Sequence, residues 1–277
     1  RKLDLGGLTP IQVDRQLDNN FRNNYAIMQK PSFSFSYLGF NLKNEKFKDI
    51  RIRQALSLAI DRQELVDILF FGYGKVCNGP FLPNSFAYNE DIKTITQDII
   101  KAKELLKEAG YDENHPFSFE VVTNTGNDIR INAALILQYQ LQKAGIKMNI
   151  RVMEWQAFLN TVVHPRNFEA VLLGWSMALM PDAYPIWHST SSKLGGFNFV
   201  SYENPKVDNL IEKGNNTVNR DELGKIYKNI FKIITDDLPY LFLYIPDSIS
   251  AVNKNIKNIE PSFVGIMHNQ KDWEIQE

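Results

Sequence analysis

The sequence predicts an α/β domain, and three observations carry that prediction. Apolar spacing changes period twice in succession: Phe117, Phe119 and Val121 alternate with polar neighbours, residues 128–144 repeat at helical spacing, and Ile146, Met148, Ile150 and Val152 alternate again. Strand, helix and strand in that order suggest a parallel βαβ unit, because parallel neighbours need a long crossover. Residues 168–173 are almost wholly apolar, as expected of a strand buried on both faces. With 277 residues the chain can hold one large or two modest domains, and with 44% of them hydrophobic it can bury a core.

The remaining elements follow from local signals. Residues 1–36 are polar, broken by Gly6, Gly7 and Pro31, with only a weak helical period around Ile11, Val13 and Leu17. An extended apolar segment then leads through a polar loop to Asp49, an N-cap preceded by Phe47 and followed by Arg53. Ile52, Leu56, Ala59, Ile60, Leu65, Ile68 and Leu69 predict one helix over residues 50–71 with a buried stripe. Residues 72–85 are dense in Gly, Pro and Asn and read as a loop; their glycines lack the spacing and the Lys-Ser/Thr ending of a phosphate cradle. Residues 98–109 form a helix stopped by Gly110, Gly145 stops the next helix, and residues 155–163 form a short one. The strand at 168–173 ends at Gly174 and Trp175, and ligand sites of open α/β sheets lie at strand ends. Pro205 opens a helix over 205–213 after Asn204. A further helix covers 221–235, closed by Asp236, Asp237 and Pro239 before a strand at 240–245.

Composition excludes several function classes. Lysine plus arginine total 31 against 32 acidic residues, so no basic excess points to nucleic acid or an anionic membrane. The longest apolar runs, such as 68–71 and 170–173, are far shorter than the ~20 residues of a spanning helix. Cys77 is a single cysteine, so it has no disulfide partner and suggests no metal site; it reads as a buried or loop thiol. His115, His164, His188 and His268 are far apart, with no metal-binding spacing and no G-x-S-x-G elbow to accompany them. Asp236 and Asp237 sit at a helix end and read as a solvated stop. No cofactor is indicated, and the chain is not expected to be an enzyme.

One block carries a more specific signal. YLGFNLKNEKFKDIRIRQALSLAIDR, residues 37–62, resembles the first crossover segment of the peptide/nickel family (family 5) of solute-binding proteins, which deliver ligands to ABC importers. Four further segments are similar to that family in the same order: KAKELLKEAGY, LQYQLQKAGIKMNI, LLGWS and GGFNFVSYENPKVDNLIEKG. The closing PYLFLYIP resembles the second crossover. The resemblance implies a periplasmic-binding-protein-like α/β fold of type II (cluster C), with a mixed sheet flanked by helices. Residues 1–41 would be a remnant of lobe I and the first crossover, 42–244 the ligand-binding lobe II, and 245–277 the second crossover and return to lobe I. It implies a carboxy-terminal portion of a longer protein, since residues 1–7 carry no export signal and the crossover block begins as early as Tyr37. The expected partners are a peptide or other small solute, the missing amino-terminal lobe and ABC permease subunits. The expected location is periplasmic or extracellular, with membrane association through the transporter or a lipid anchor.

The resemblance also nominates ligand contacts. The family stretch matching GWSMALMPDAYPIWHS lines the cleft with backbone groups and often places an acidic residue three positions after the tryptophan for a peptide's α-ammonium. Ala178 stands there, with Asp182 four residues on, which puts the usual clamp in doubt. Candidate ligand-binding residues are therefore Trp175, Ser176, Met177, Ala178 and Asp182, with Tyr37 and Asn41 at the expected hinge and Trp155 after a neighbouring strand. Trp175 reads as an aromatic wall or as a tryptophan of the lobe core, and Trp155 divides the same way. Asn41 offers its amide to a ligand or satisfies a strand end; Asn198 and Tyr202 read as structural. Asp182, Tyr184, Trp187 and His188 form a polar site or a packed loop. Two alternatives from other classes are a hydrolase with a dispersed, unrecognised site and a protein-interaction module.

Overall fold

The computed structural model describes residues 3–83, 85–193, 195–262 and 264–276; Asn84, in the loop expected at 72–85, lies outside them. Its strands are β1 (Leu5–Leu8), β2 (Tyr25–Pro31), β3 (Ser34–Phe40), β4 (Gly74–Val76), β5 (Ser118–Asn124), β6 (Lys147–Met153), β7 (Ala170–Ser176) and β8 (Tyr240–Asn253), with a small ribbon of Ile256–Lys257 and Glu274–Ile275. The main sheet is mixed. β6, β5 and β7 are parallel neighbours, and β3 runs antiparallel between β7 and β8. The first half of β8 lies between β3 and β4, and its second half between β1 and β2.

Successive side chains of a strand point to opposite faces, so a sheet covered on both sides needs apolar residues at every position. That is the arrangement here. Tyr37, Val122, Val171, Tyr240 and Phe242 join one buried cluster with the helices Pro205–Asn215 and Arg220–Asp237. Leu38, Val121, Leu172, Leu241 and Leu243 join a second cluster with the helices Ile50–Leu58, Arg62–Phe70, Ile99–Glu108 and Asp128–Lys143. Each large side chain buried in this way contributes roughly 1.5–3 kcal/mol. The βαβ unit forms as the periodicity predicts: β5 and β6 pair in parallel across the helix Asp128–Lys143, and Gly145 ends that helix at φ +82°.

Several elements differ from expectation. The single helix expected over 50–71 is two helices, because Asp61 starts a second one by accepting from the Gln63 and Glu64 amides. Ala59 and Ile60 are buried in the break, whereas Ile68 is 53% exposed instead of lying on the core stripe. The polar segment 1–36 contains β1 and β2, which obtain their hydrogen bonds from β8 more than 200 positions away. β7 continues through Trp175 to Ser176 because Phe35 and Ser34 pair with those residues. β8 has 14 residues rather than six, for the same reason. Residues 155–163 divide into a short α-helix, Trp155–Phe158, and a π turn, Leu159–Val163. Asp237 is no solvated stop: its Oδ2 accepts from the Tyr202 hydroxyl at 2.5 Å and from Asn204 Nδ2 at 2.7 Å.

Two buried arginines of the crossover block fasten the layers. Arg53 donates to the carbonyls of Asp237, at 2.8 Å, and Phe47, so a cation meets the carbonyl end of the helix Arg220–Asp237. Arg62 donates to Phe242 O at 2.9 Å, Ser57 O at 3.1 Å and Ser57 Oγ at 2.8 Å, and burial lowers its pKa to about 10. Cys77 is buried beside it.

Candidate functional site

The parallel strands β5, β6 and β7 end on one edge of the sheet, the edge where α/β proteins hold ligands. β3 begins and β8 crosses at that same edge: Ser34 faces Ser176, and Ser32 N donates to Pro246 O at 2.9 Å. The two chain crossings thus run side by side, immediately next to Trp175. A cavity of about 310 Å³ lies there, lined by Ser34, Ser36, Arg130, Gly174, Trp175 and Tyr244 among others. A second, of about 420 Å³, lies on the other side of the crossing, between Lys30, Ser32, Phe33, Met177, Leu179 and Ser250.

An aromatic stack supports this edge. Tyr37, 1% exposed, lies parallel to Tyr240 at 3.9 Å between ring centroids and to Trp175 at 6.2 Å. Burial pushes both tyrosine hydroxyls up, Tyr240 to about 12 and Tyr37 well above its ordinary value, so each stays protonated. Trp175 is half-buried; its indole N–H donates to Tyr240 Oη at 3.3 Å, and its ring stacks on Phe199 at 5.6 Å. One face of Trp175 is therefore held by the core while its strand-end position leaves it lining the cavity.

The other candidates divide by position. Ser176 is exposed at the end of β7, and Met177 is tied to the crossing by donating its amide to Phe33 O at 2.7 Å. Ala178 is exposed, and Asp182 is exposed while accepting from the Tyr184 amide at 2.9 Å. Trp155, 40% exposed, follows β6 on the same edge and touches Phe158. Asn41 is at the opposite end of β3, roughly 20 Å along the strand from Ser34. There its Nδ2 donates to Arg166 O at 3.1 Å and Phe168 O at 3.0 Å. Asn198 Nδ2 donates to Tyr202 O at 2.8 Å and His188 O at 3.3 Å, and its Oδ1 accepts from the Tyr202 amide at 2.9 Å, fixing a loop. Arg130 is a cavity residue the motif reading passes over; its signal is a cation in the first turn of a helix, where the dipole disfavours it.

Among the described residues no group of three His, Cys, Asp or Glu side chains could hold a metal ion, and no helix is long and apolar enough to cross a membrane. The fold is a mixed α/β sheet covered by helices, with a cavity at the ends of its parallel strands. Residues 2–197 match the bacterial extracellular solute-binding proteins, family 5 (middle region), and the chain belongs to that family. It is 34% identical over 91% of its length to the oligopeptide-binding protein AppA of Bacillus subtilis, covering 48% of that protein. It is 29% identical over 96% of its length to the nickel-binding protein NikA of Staphylococcus aureus, covering 53% of it. The solved structure of B. subtilis AppA in complex with a nonapeptide superposes with a TM-score of 0.82 at 32% identity, over 99% of this chain and 56% of that one. The chain thus spans about half the length of the relatives it matches.

Proposed function

We propose that this chain is the greater part of one lobe of a two-lobed receptor that captures an oligopeptide, or a similarly extended polar solute, outside the cytoplasmic membrane and presents it to an ABC permease. The observation that carries the reading is the pair of crossings, 31–34 and 245–247, side by side against the cavity edge: two adjacent strands are what a hinge between lobes requires. These positions, rather than 41/42 and 244/245, are the proposed lobe boundaries, because β3 is an interior strand of the sheet. The proposed contacts are Trp175, Ser176, Met177 and Ala178, with Trp155 and Asp182 at the rim; Tyr37 backs Trp175, and Asn41 ties a strand end. Capture without conversion is proposed because the edge presents aromatic, hydroxyl and backbone groups. The relatives' names, an oligopeptide binder and a nickel binder, set the ligands to try first.

The test is thermal unfolding of the whole receptor with peptides, a nickel–histidine chelate or sugars. Peptide at about 100 times its dissociation constant should stabilise by roughly 2.7 kcal/mol, read as a rise in melting temperature, with the peptide recovered intact by mass spectrometry. Cleavage products would favour a hydrolase instead. Indifference to all small ligands would favour a protein-interaction module.

A further inference from the structure

We infer that Asp247 is a protonation-sensitive hinge residue: its neutral form holds the two crossings in the arrangement seen here, and its ionised form favours one in which water or an N–H reaches its unpaired oxygen. The inference rests on the receptor reading above, since a hinge needs a second lobe. Asp247 is half-buried on β8, directly after the residues that pair with β4 and opposite Pro31 at the end of β2. Its backbone is fixed there, with its amide donating to Tyr73 O at 3.1 Å and the preceding Pro246 carbonyl accepting from Ser32 N at 2.9 Å. Its side chain is satisfied on one side only: Oδ2 accepts from Gln29 Nε2 at 3.0 Å, while Oδ1 is buried without a hydrogen-bond partner. Gln29 also lines the cavity of about 420 Å³, so that single bond joins the crossing to the cavity wall.

Other half-buried carboxylates show what is missing. Asp208 accepts from the amide and the hydroxyl of Ser189, and Glu169 accepts from the Glu120 amide and pairs with Lys46. Among the described residues, Asp247 Oδ1 is the buried carboxylate oxygen left unpaired. The charged groups around it do not make up the deficit. On β2, Lys30 is opposite Ser248 and therefore points to the other face of the patch from Gln29 and Pro31. On β4, Lys75 is exposed and acts on Asp247 only at a distance. Arg15, at the end of the helix Pro10–Arg15, is occupied over the Phe71 ring at 5.0 Å. Burial therefore dominates, raising the Asp247 carboxyl above its ordinary 3.8 against the smaller lowering effects of the Gln29 hydrogen bond and the Lys75 charge. A carboxylate oxygen buried without a donor is costlier than a neutral carboxyl group in the same place. The arrangement seen here thus binds the proton more tightly than one in which the carboxylate is hydrated. Its advantage is complete below pH 3.8 and is lost as the pH rises through the raised value. A receptor outside the cytoplasmic membrane meets the pH of its surroundings, and this residue passes it to the angle between the lobes.

The test follows the distance between the lobes against pH. In the whole ligand-free receptor carrying C77A and V218C, one dye sits at position 218, where the native side chain is 99% exposed, and its energy-transfer partner sits on the amino-terminal lobe. The distance is measured from below pH 3.8 to neutrality in this background and with D247N or Q29A added, each variant checked for cooperative unfolding. The carboxyl carbon of Asp247, assigned by its loss in D247N, is titrated in parallel by nuclear magnetic resonance. The distance should shift with a midpoint that coincides with that titration and lies above 3.8. D247N, uncharged and of the same shape, should lose the shift and keep the acid-limit distance at every pH. Q29A removes the one donor and should move the midpoint higher still. A distance indifferent to pH, an identical pH profile in D247N, or an Asp247 carbon titrating at or below 3.8 overturns the inference, and the receptor reading stands if peptide still shortens the distance at neutral pH. A distance that answers to neither pH nor any peptide, nickel–histidine chelate or sugar overturns both.

Discussion

Buried polar groups in this chain differ, residue by residue, in how fully the fold satisfies them. Arg53, Arg62 and Arg130 all lie in apolar helical sequence and look alike there; what each guanidinium can reach tells them apart. Only Arg130 leaves a buried nitrogen unpaired. Cys77, beside Arg62, allows a test of burial at this scale. Desolvation lifts its thiol from an ordinary value of 9.0 to about 12, against the smaller opposing effects of the Gly79 carbonyl hydrogen bond and the Arg62 charge. Between those values the unfolded chain has lost the proton and the folded chain keeps it, so the folded state binds more protons. Its contribution is complete below pH 9 and is lost as the pH rises toward 12. The expected slope is at most about 1.4 kcal/mol per pH unit. Tyr202 and Tyr240, also raised by burial, act in the same direction and are untouched by substitution at Cys77. C77A should therefore show a shallower alkaline fall in urea-unfolding free energy than wild type, and identical slopes would refute the buried-thiol account. Of the candidate site, the strand-end position of Trp175 and Ser176 is legible in the sequence, whereas Tyr37's stacking partner Tyr240 is 203 positions away and only the fold joins them.

Elements were legible where their signals are local. Alternation gave β5 and β6, and Gly110 and Gly145 gave the stops of two helices. The segment 50–71 shows the opposite case: apolar positions keep helical phase across a break, so periodicity alone predicts one helix. Asp61 followed by Glu64 is the signal that was available, since an N-cap with an acidic residue three positions later marks a new helix start. Asp61 accepts from Gln63 N at 2.9 Å and Glu64 N at 3.0 Å, while its own amide and carbonyl bond the buried Gln140. D61A should cost ~1 kcal/mol, seen as a lower urea midpoint at unchanged slope, and D61N should restore most of it because asparagine caps comparably. A wild-type midpoint in D61A would mean that packing of Leu65 and Val66, not the cap, sets this helix. β1 and β2 were illegible because their partners are distant and their outer residues polar.

At the scale of the whole molecule, the buried apolar clusters on the two faces of the main sheet draw their members, among the described residues, only from residues 35–245. Outside that range the buried apolar residues among those described are Val13, Ile249, Ala251 and Val252, a small set served by β1, β2 and the second half of β8. β8 therefore passes from a body with two full cores into a thin three-stranded patch, and local stability should fall along that one strand. Local opening free energies follow buried apolar contacts, and amide exchange reads them. In this chain, hydrogen exchange followed by mass spectrometry should find β3, β5, β7 and residues 240–245 of β8 protected to the level of global unfolding. β1, β2 and residues 248–253 should exchange through a separate, lower-energy opening. If the chain is one lobe of a receptor, the whole protein should raise protection of that second class selectively, because the absent lobe is what would cover the patch. Uniform protection along β8 in the isolated chain would mean that the patch is integral to this body, and it would remove the energetic basis for a hinge at 245–247.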